Sequence, residues 1–209
     1  MLSGVRVDSY ADAVPAMPTR SGAAELAEKL LAQLGDRWRH TQAVAARADR
    51  LAAAVGADDQ ELLSVAACWH DLGYAPELVV TGFHPLDGAR FLAREGYPTR
   101  LCALVAHHSA AMFEAEERGL ADELVTWSRE ESAVADALWM ADMTTGPRGE
   151  AVDYPDRLAE ILSRYEPGSL VGRAMRQARP LIEAAIARTE GRLRAASRCA
   201  ARAGRRERR

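Results

Sequence analysis

Asparagine is absent from the 209 residues, and Lys29 is the only lysine. Both absences read as a coding preference for arginine and alanine, and no activity is drawn from them. The three cysteines, Cys68, Cys102 and Cys199, are odd in number and far apart, which fits neither a disulfide framework nor a clustered thiolate zinc site. No apolar run approaches the roughly 20 residues that a membrane span requires. The opening MLSGVRVDSYADAV lacks the basic-then-apolar order of a secretory signal, so a cytoplasmic location away from membranes is expected. Phosphate-cradling glycine loops, G-x-S-x-G elbows and cysteine–histidine nucleophile patterns are also missing. Catalysis, if present, has to rest on other groups.

What is present is a chain 48% hydrophobic and 27% charged, the composition of an ordinary globular protein. The net charge of -3 is uneven: residues 188–209 hold nine arginines against Glu190 and Glu207, so the remainder carries about -10. An acidic body repels polyanions, and no nucleic-acid partner is expected. Apolar residues recur at three- and four-residue intervals without strand-like alternation, which predicts an all-α fold. Glycine and proline punctuation places helices at about Gly22–Leu34, Asp36–Val55, Asp58–Leu72, Pro85–Glu95, Pro98–His108, Arg129–Met143, Pro155–Tyr165 and Gly168–Ala200. Glu61 follows Asp58 at capping-box spacing. Residues 109–128 read as a long connection with at most a short helix. The expected organisation is an N-terminal arm over 1–20, one helical domain over 21–187, and a basic helical end with a frayed tail over 188–209.

The five histidines, His40, His70, His84, His107 and His108, fall in several different helices or at their starts. One histidine on an apolar face is ordinarily a satisfied core residue. Helical phase gives the set more weight. His40 continues the stripe of Val44, Ala48 and Leu51; His70 continues Leu63, Ala66 and Ala67; Asp142 continues Ala135 and Leu138. A buried carboxylate at 142 needs a cation, from arginine or from a metal. Neutral imidazoles with carboxylates suit zinc, iron or manganese, not calcium. His70 and Asp71 project about 100° apart on a helix and can converge on an ion only near its end, which Gly73 supplies.

The order His40, then His70–Asp71 in CWHDLG, then Asp142 in WMADMTTGPRG resembles the HD superfamily of metal-dependent phosphohydrolases over about residues 36–150. His84 in GFHPLDGARFL and the pair in LVAHHS resemble its two-metal branch. The resemblance implies an HD-domain helical bundle with additional C-terminal helices. It implies a first metal on His40, His70, Asp71 and Asp142, with Asp71 bridging to a second on His84 and His107. Phase argues differently about the last ligand, because His108 lies at the centre of the stripe of Leu101, Leu104 and Val105. His107 is expected as the ligand and His108 as a substrate contact.

The implied cofactor is a divalent transition metal, two ions of iron, manganese, cobalt or zinc, and the implied substrate is a small phosphorylated metabolite or nucleotide. Metal-bound water, its pKa lowered from 15.7 to about 7, would attack the phosphoester. Many relatives carry lysine after HDxG, where this chain has Tyr74. Arg148 is the expected replacement phosphate clamp, with Arg37 and Arg39 as lesser ones. Thr144 and Thr145 read as helix caps, Trp69 and Trp139 as core, and Asp87 as either an orienting partner for an imidazole or an exposed first-turn residue. Two alternatives accompany this reading: some relatives with the same six ligands use a mixed-valent di-iron centre to activate O2, and a third class would hold a structural metal without catalysis. Six candidate ligands exceed the roughly four that close a structural site.

Overall fold

The structure, a computed structural model, describes residues 17–166 and 168–206. Up to residue 16, the expected arm lies outside the described residues. From residue 17 on, Met17 packs against the core, and the Thr19 hydroxyl accepts from the Gly22 N–H to start α1 (Arg20–Leu31). The described residues form ten α-helices and no sheet, as the period-3.6 pattern predicts. No helix among them is long and apolar enough to cross a membrane.

Two helices form the centre. Residues α3 (Gln60–Trp69) and α8 (Ala133–Met143) cross each other and both contact α2 (Asp36–Leu51). Every residue of α8 from Val134 to Met143 is buried, as befits a helix apolar on all sides. Trp69 ends α3 and fills the core, with its indole N–H donated to the Ala23 carbonyl of α1 at 2.8 Å. Beyond α3 the chain runs through two 3-10 turns into α4 (His84–Arg94), which pairs with α5 (Thr99–Ala106). Two short helices, α6 (Met112–Arg118) and α7 (Ala121–Leu124), occupy the expected long connection. The chain then passes through α8 and α9 (Tyr154–Ser163) to α10 (Leu170–Arg206).

Several helices end earlier than their apolar patterns suggest. Helix α3 stops before His70 rather than running to Leu72, and α5 stops at Ala106. The expected Asp58–Glu61 box does not open α3: Asp58 lies in a 3-10 turn over Ala57–Asp59, and Asp59, the residue before the helix, commits its carboxylate to Arg100 at 2.6 and 3.0 Å instead of capping. Ser132 caps α8 by accepting from the Ala135 N–H, so that helix begins after Arg129.

Helix α10 passes position 188 and runs to Arg206, beyond the expected helix border at Ala200. Ala174, Ala178, Ile182, Ala185 and Thr189 form its buried stripe. Arg188 and Arg192 both reach Asp136 of α8, a carboxylate only 5% exposed. That ion pair, rather than apolar contact alone, continues the docking of α10 past residue 187.

Candidate metal centre

The dyad sits in the turn after α3. His70 is the last residue with helical dihedrals, and Asp71 (φ -103, ψ 7) leaves the helix. The turn is packed tightly against α4, since a Cβ on Gly73 would stand 2.1 Å from the His84 carbonyl oxygen and 2.7 Å from the Gly88 nitrogen. Only glycine permits that approach. It brings His84, the first residue of α4, beside Asp71, with Nε2 3.3 Å from Oδ1.

Position 40 is fixed from the other side. The loop after α8 closes through an antiparallel bridge between Thr145 and Ala151. Gly149, at φ +88, lies against the Arg39 carbonyl, where a Cβ would be 3.0 Å away. The loop thereby holds the Gly146 carbonyl 2.9 Å from His40 Nδ1. Thr144 and Thr145 donate to the Met140 and Ala141 carbonyls and finish α8, in the capping role expected of them.

Backbone carbonyls set the tautomers of three imidazoles. Nδ1 of His40, His70 and His108 faces Gly146, Ala67 and Val105 respectively, at 2.9, 2.8 and 2.6 Å. A carbonyl only accepts, so each Nδ1 carries the hydrogen and each Nε2 is left as a lone-pair donor pointed inward. Nε2 of His40 then meets Asp142 Oδ1 at 3.0 Å, and Nε2 of His108 meets Nε2 of His84 at 3.1 Å. His40 Nε2 and Asp142 Oδ1 are then both acceptors, and such a pair requires a proton or a cation between them, whereas His84 can donate its Nε2 hydrogen to His108. Nε2 of His70 is buried with no aligned hydrogen bond, although Asp71 Oδ2 is 3.3 Å away.

The donors form two groups that share Asp71. His40, His70 and Asp71 have ligand atoms within 4.8 Å of one another, and so do Asp71, His84 and His108. Oδ2 of Asp71 faces His70 and His40, while Oδ1 faces His84. Asp142 lies at the first group, 3.0 Å from His40 and 4.0 Å from His70. Mixed imidazole and carboxylate donors with tied outer nitrogens are the chemistry of a transition-metal site, and these residues fit one.

His107 departs from the expected ligand set. It caps α5 with non-helical dihedrals (φ -112, ψ 13), and its Nε2 is committed to the Trp127 carbonyl at 2.7 Å, outside both groups. His108 takes the place beside His84. The helix ends at Ala106, yet the ring at 108 still follows the inward stripe of Leu101, Leu104 and Val105. Ser109 follows at φ +48 and Ala110 at φ +58, left-handed values that cost energy for residues with a Cβ. The Ser109 hydroxyl donates to Asp142 Oδ2, leaving Oδ1 for His40.

Arg148 also departs from expectation. It is exposed in the loop after α8, its backbone N–H bonds Glu150, and it does not line the pocket over the donors. Arg39 is exposed and pairs with Asp36. Arg37 is the guanidinium at the site: it reaches Asp71 Oδ2 at 2.7 Å and lies 3.9 Å over the Tyr74 ring, which stacks on His84 at 4.0 Å. The charge absent from position 74 is thus supplied through space from 37. Asp87 neither orients an imidazole nor lies exposed. It is buried and accepts the N–H groups of Val80, Thr81 and Gly82, fastening the loop ahead of His84.

The electrostatics follow from burying carboxylates among imidazoles. Burial opposes charge on Asp71, but Arg37, His70 and His84 outweigh it and hold the carboxyl well below its usual range. Burial likewise opposes the Asp142 charge and is outweighed by His40 and His70. His70 is desolvated, yet Asp71 and Asp142 raise it to about 9. Burial pushes His84 and His108 down. Without metal, a proton on His70 would join Arg37 in offsetting the two aspartates.

A cavity of about 270 Å3 opens over these donors, close to the lower end of ligand-pocket sizes. Arg37, Arg118, Arg157 and Arg164 line it along with Asp71, His84, His108, Ser109 and Asp142. The HD domain family model matches residues 37–166. The chain belongs to the HD domain family. No curated protein and no solved structure matches it. HD domains bind divalent metals and are mostly metal-dependent hydrolases, and the His/Asp groups of this HD domain can hold metal. Three arginines of the pocket, 118, 157 and 164, and Ser109 were not singled out in the sequence; among so many arginines, only the i, i+4, i+7 spacing of Arg157, Ile161 and Arg164 hints at one face.

Proposed function

We propose that this HD domain is a metal-dependent phosphohydrolase acting on a small phosphorylated metabolite or nucleotide. The observation that carries the reading is the pair of donor groups sharing Asp71 at the base of an arginine-lined pocket. His40, His70, Asp71 and Asp142 would hold one ion, and Asp71, His84 and His108 another. Ions held there would supply Lewis acidity and hydroxide near neutral pH.

The chain's own groups do the rest. Arg37, already fixed by Asp71 and by stacking over Tyr74, presents its remaining N–H donors to phosphate oxygens. Ser109 and the carbonyls of Gly146, Ala67 and Val105 hold the donors so that little reorganisation accompanies reaction. The pocket's size suits a metabolite.

The deciding experiment is metal analysis of untreated protein, followed by a panel of phosphomonoesters and phosphodiesters with manganese, cobalt or iron. Phosphate release that disappears together with bound metal in Asp71→Ala is expected. A fully loaded protein that releases no phosphate, and instead shows a mixed-valent iron signal and consumes O2, would overturn hydrolysis in favour of oxygenation.

A further inference from the structure

One wall of the pocket lies outside the two donor groups. It comes from α9 and the start of α10, where Arg157, Ile161 and Arg164 share a face and Val171 and Met175 stand opposite. Arg157 is an unusual wall residue, since its side chain is only 7% exposed. Glu160 holds it at one terminal nitrogen, and its Nε is buried without any partner. The same Glu160 also takes Arg164, with Nε 3.0 Å from Oε1. One carboxylate therefore serves two guanidiniums. A buried guanidinium N–H without an acceptor is costly. Both guanidiniums line the pocket, where an anion would give them a second partner.

We propose that the substrate carries a second anionic group, carboxylate or phosphate, bound by Arg157 and Arg164, with its carbon skeleton against Ile161, Val171 and Met175. The inference rests on the hydrolytic reading for the role of the first anion, at the Asp71 end. A guanidinium fork recognises either anion by paired N–H donors. Glu160 sets both forks before the ligand arrives, which reduces the ordering cost of binding.

The test is calorimetric titration of the metal-loaded full chain with three non-hydrolysable four-carbon probes: n-butylphosphonate, 4-phosphonobutanoate and butane-1,4-diphosphonate. The terminal anion is expected to lower Kd at least tenfold relative to n-butylphosphonate, and the larger gain of the two tells carboxylate from phosphate. In Arg164→Gln, half-exposed and so tolerant of change, that gain should fall below threefold. Arg157→Gln should do the same if it folds. Using n-butylphosphonate as the reference within each protein cancels general losses of metal or folding. Equal Kd values for all three probes in the unmodified chain, or a gain that survives Arg164→Gln, would overturn the proposal. Phosphate release from the corresponding esters is measured alongside. If it is absent while the binding preference persists, the hydrolytic reading falls and the second-anion site stands.

Discussion

The adjacent histidines at 107 and 108 can be separated by substitution, because the structure gives them opposite tasks. In His107→Ala the Trp127 carbonyl loses its donor, and an orphaned buried acceptor costs about 1–3 kcal/mol. Nδ1 of His107 is itself buried without a partner, so the substitution removes one orphan as it makes another, and the cost belongs at the low end. At roughly 2–4 °C per kcal/mol for a chain of this length, Tm should fall by a few degrees. Metal content should not change. His108→Ala removes the Nε2 that lies 3.1 Å from His84 and belongs to the second donor group. Metal analysis after reconstitution and gel filtration should show the loss of about one equivalent relative to the unmodified chain, with turnover falling in parallel. Thermal unfolding of the metal-free forms gives the stability term separately. Loss of an equivalent in His107→Ala, with full content in His108→Ala, would refute the assignment and restore the ligand that the family resemblance implies.

Two further outcomes follow from the same geometry. Gly73→Ala forces a Cβ to within 2.1 Å of the His84 carbonyl, where backbone must move; overpacking of this kind costs about 1–3 kcal/mol, and the second donor group should lose metal along with the drop in Tm. An unchanged Tm would show that the turn does not press on α4. The metal-free protein should carry a proton on His70 at pH 7.5 while His84 and His108 are neutral, as read by imidazole nitrogen chemical shifts. Because metal binds only the neutral ring, that proton competes below about 9. Apparent metal affinity should therefore rise with pH through neutrality and level off for this group above about 9. A neutral His70 at pH 7.5 would contradict the raised value.

The fold was legible where a rule acts locally. Apolar periodicity locates α2, α4, α8 and α10, and proline and glycine mark most borders. It misplaces some ends, as when a 3-10 turn takes up Asp58 and α3 starts only at Gln60, or when Ser132 rather than Arg129 starts α8. The site was legible in the phases of His40, His70 and Asp142. At the disputed pair, phase alone pointed to the ring the structure brings to His84, because the stripe continues two residues past the last helical residue. Arg148 misled for a physical reason: nearness to Asp142 in sequence says nothing of direction once a bridge and a left-handed Gly149 turn the loop back onto α2.

Helix α8 contains an internal control for the metal reading. It buries two aspartates six residues apart, and the chain treats them differently. Asp136 is closed by Arg188 and Arg192 from α10, which is how a structural carboxylate is neutralised with the side chains at hand. Nothing in the local pattern around 136 announces those partners, since they arrive from 52 and 56 residues away. Among the described residues no arginine pairs with Asp142. It meets imidazole nitrogens whose other faces are tied to carbonyls, and a serine on a strained backbone holds its second oxygen. Arginine is abundant in this chain, so its absence there is not for want of supply. With a neutral hydroxyl on one oxygen and imidazoles of no fixed charge at the other, Asp142 is left to a mobile cation, a proton on an imidazole or a bound metal, and that opening, more than the order of the motif letters, is the physical case for metal at this site.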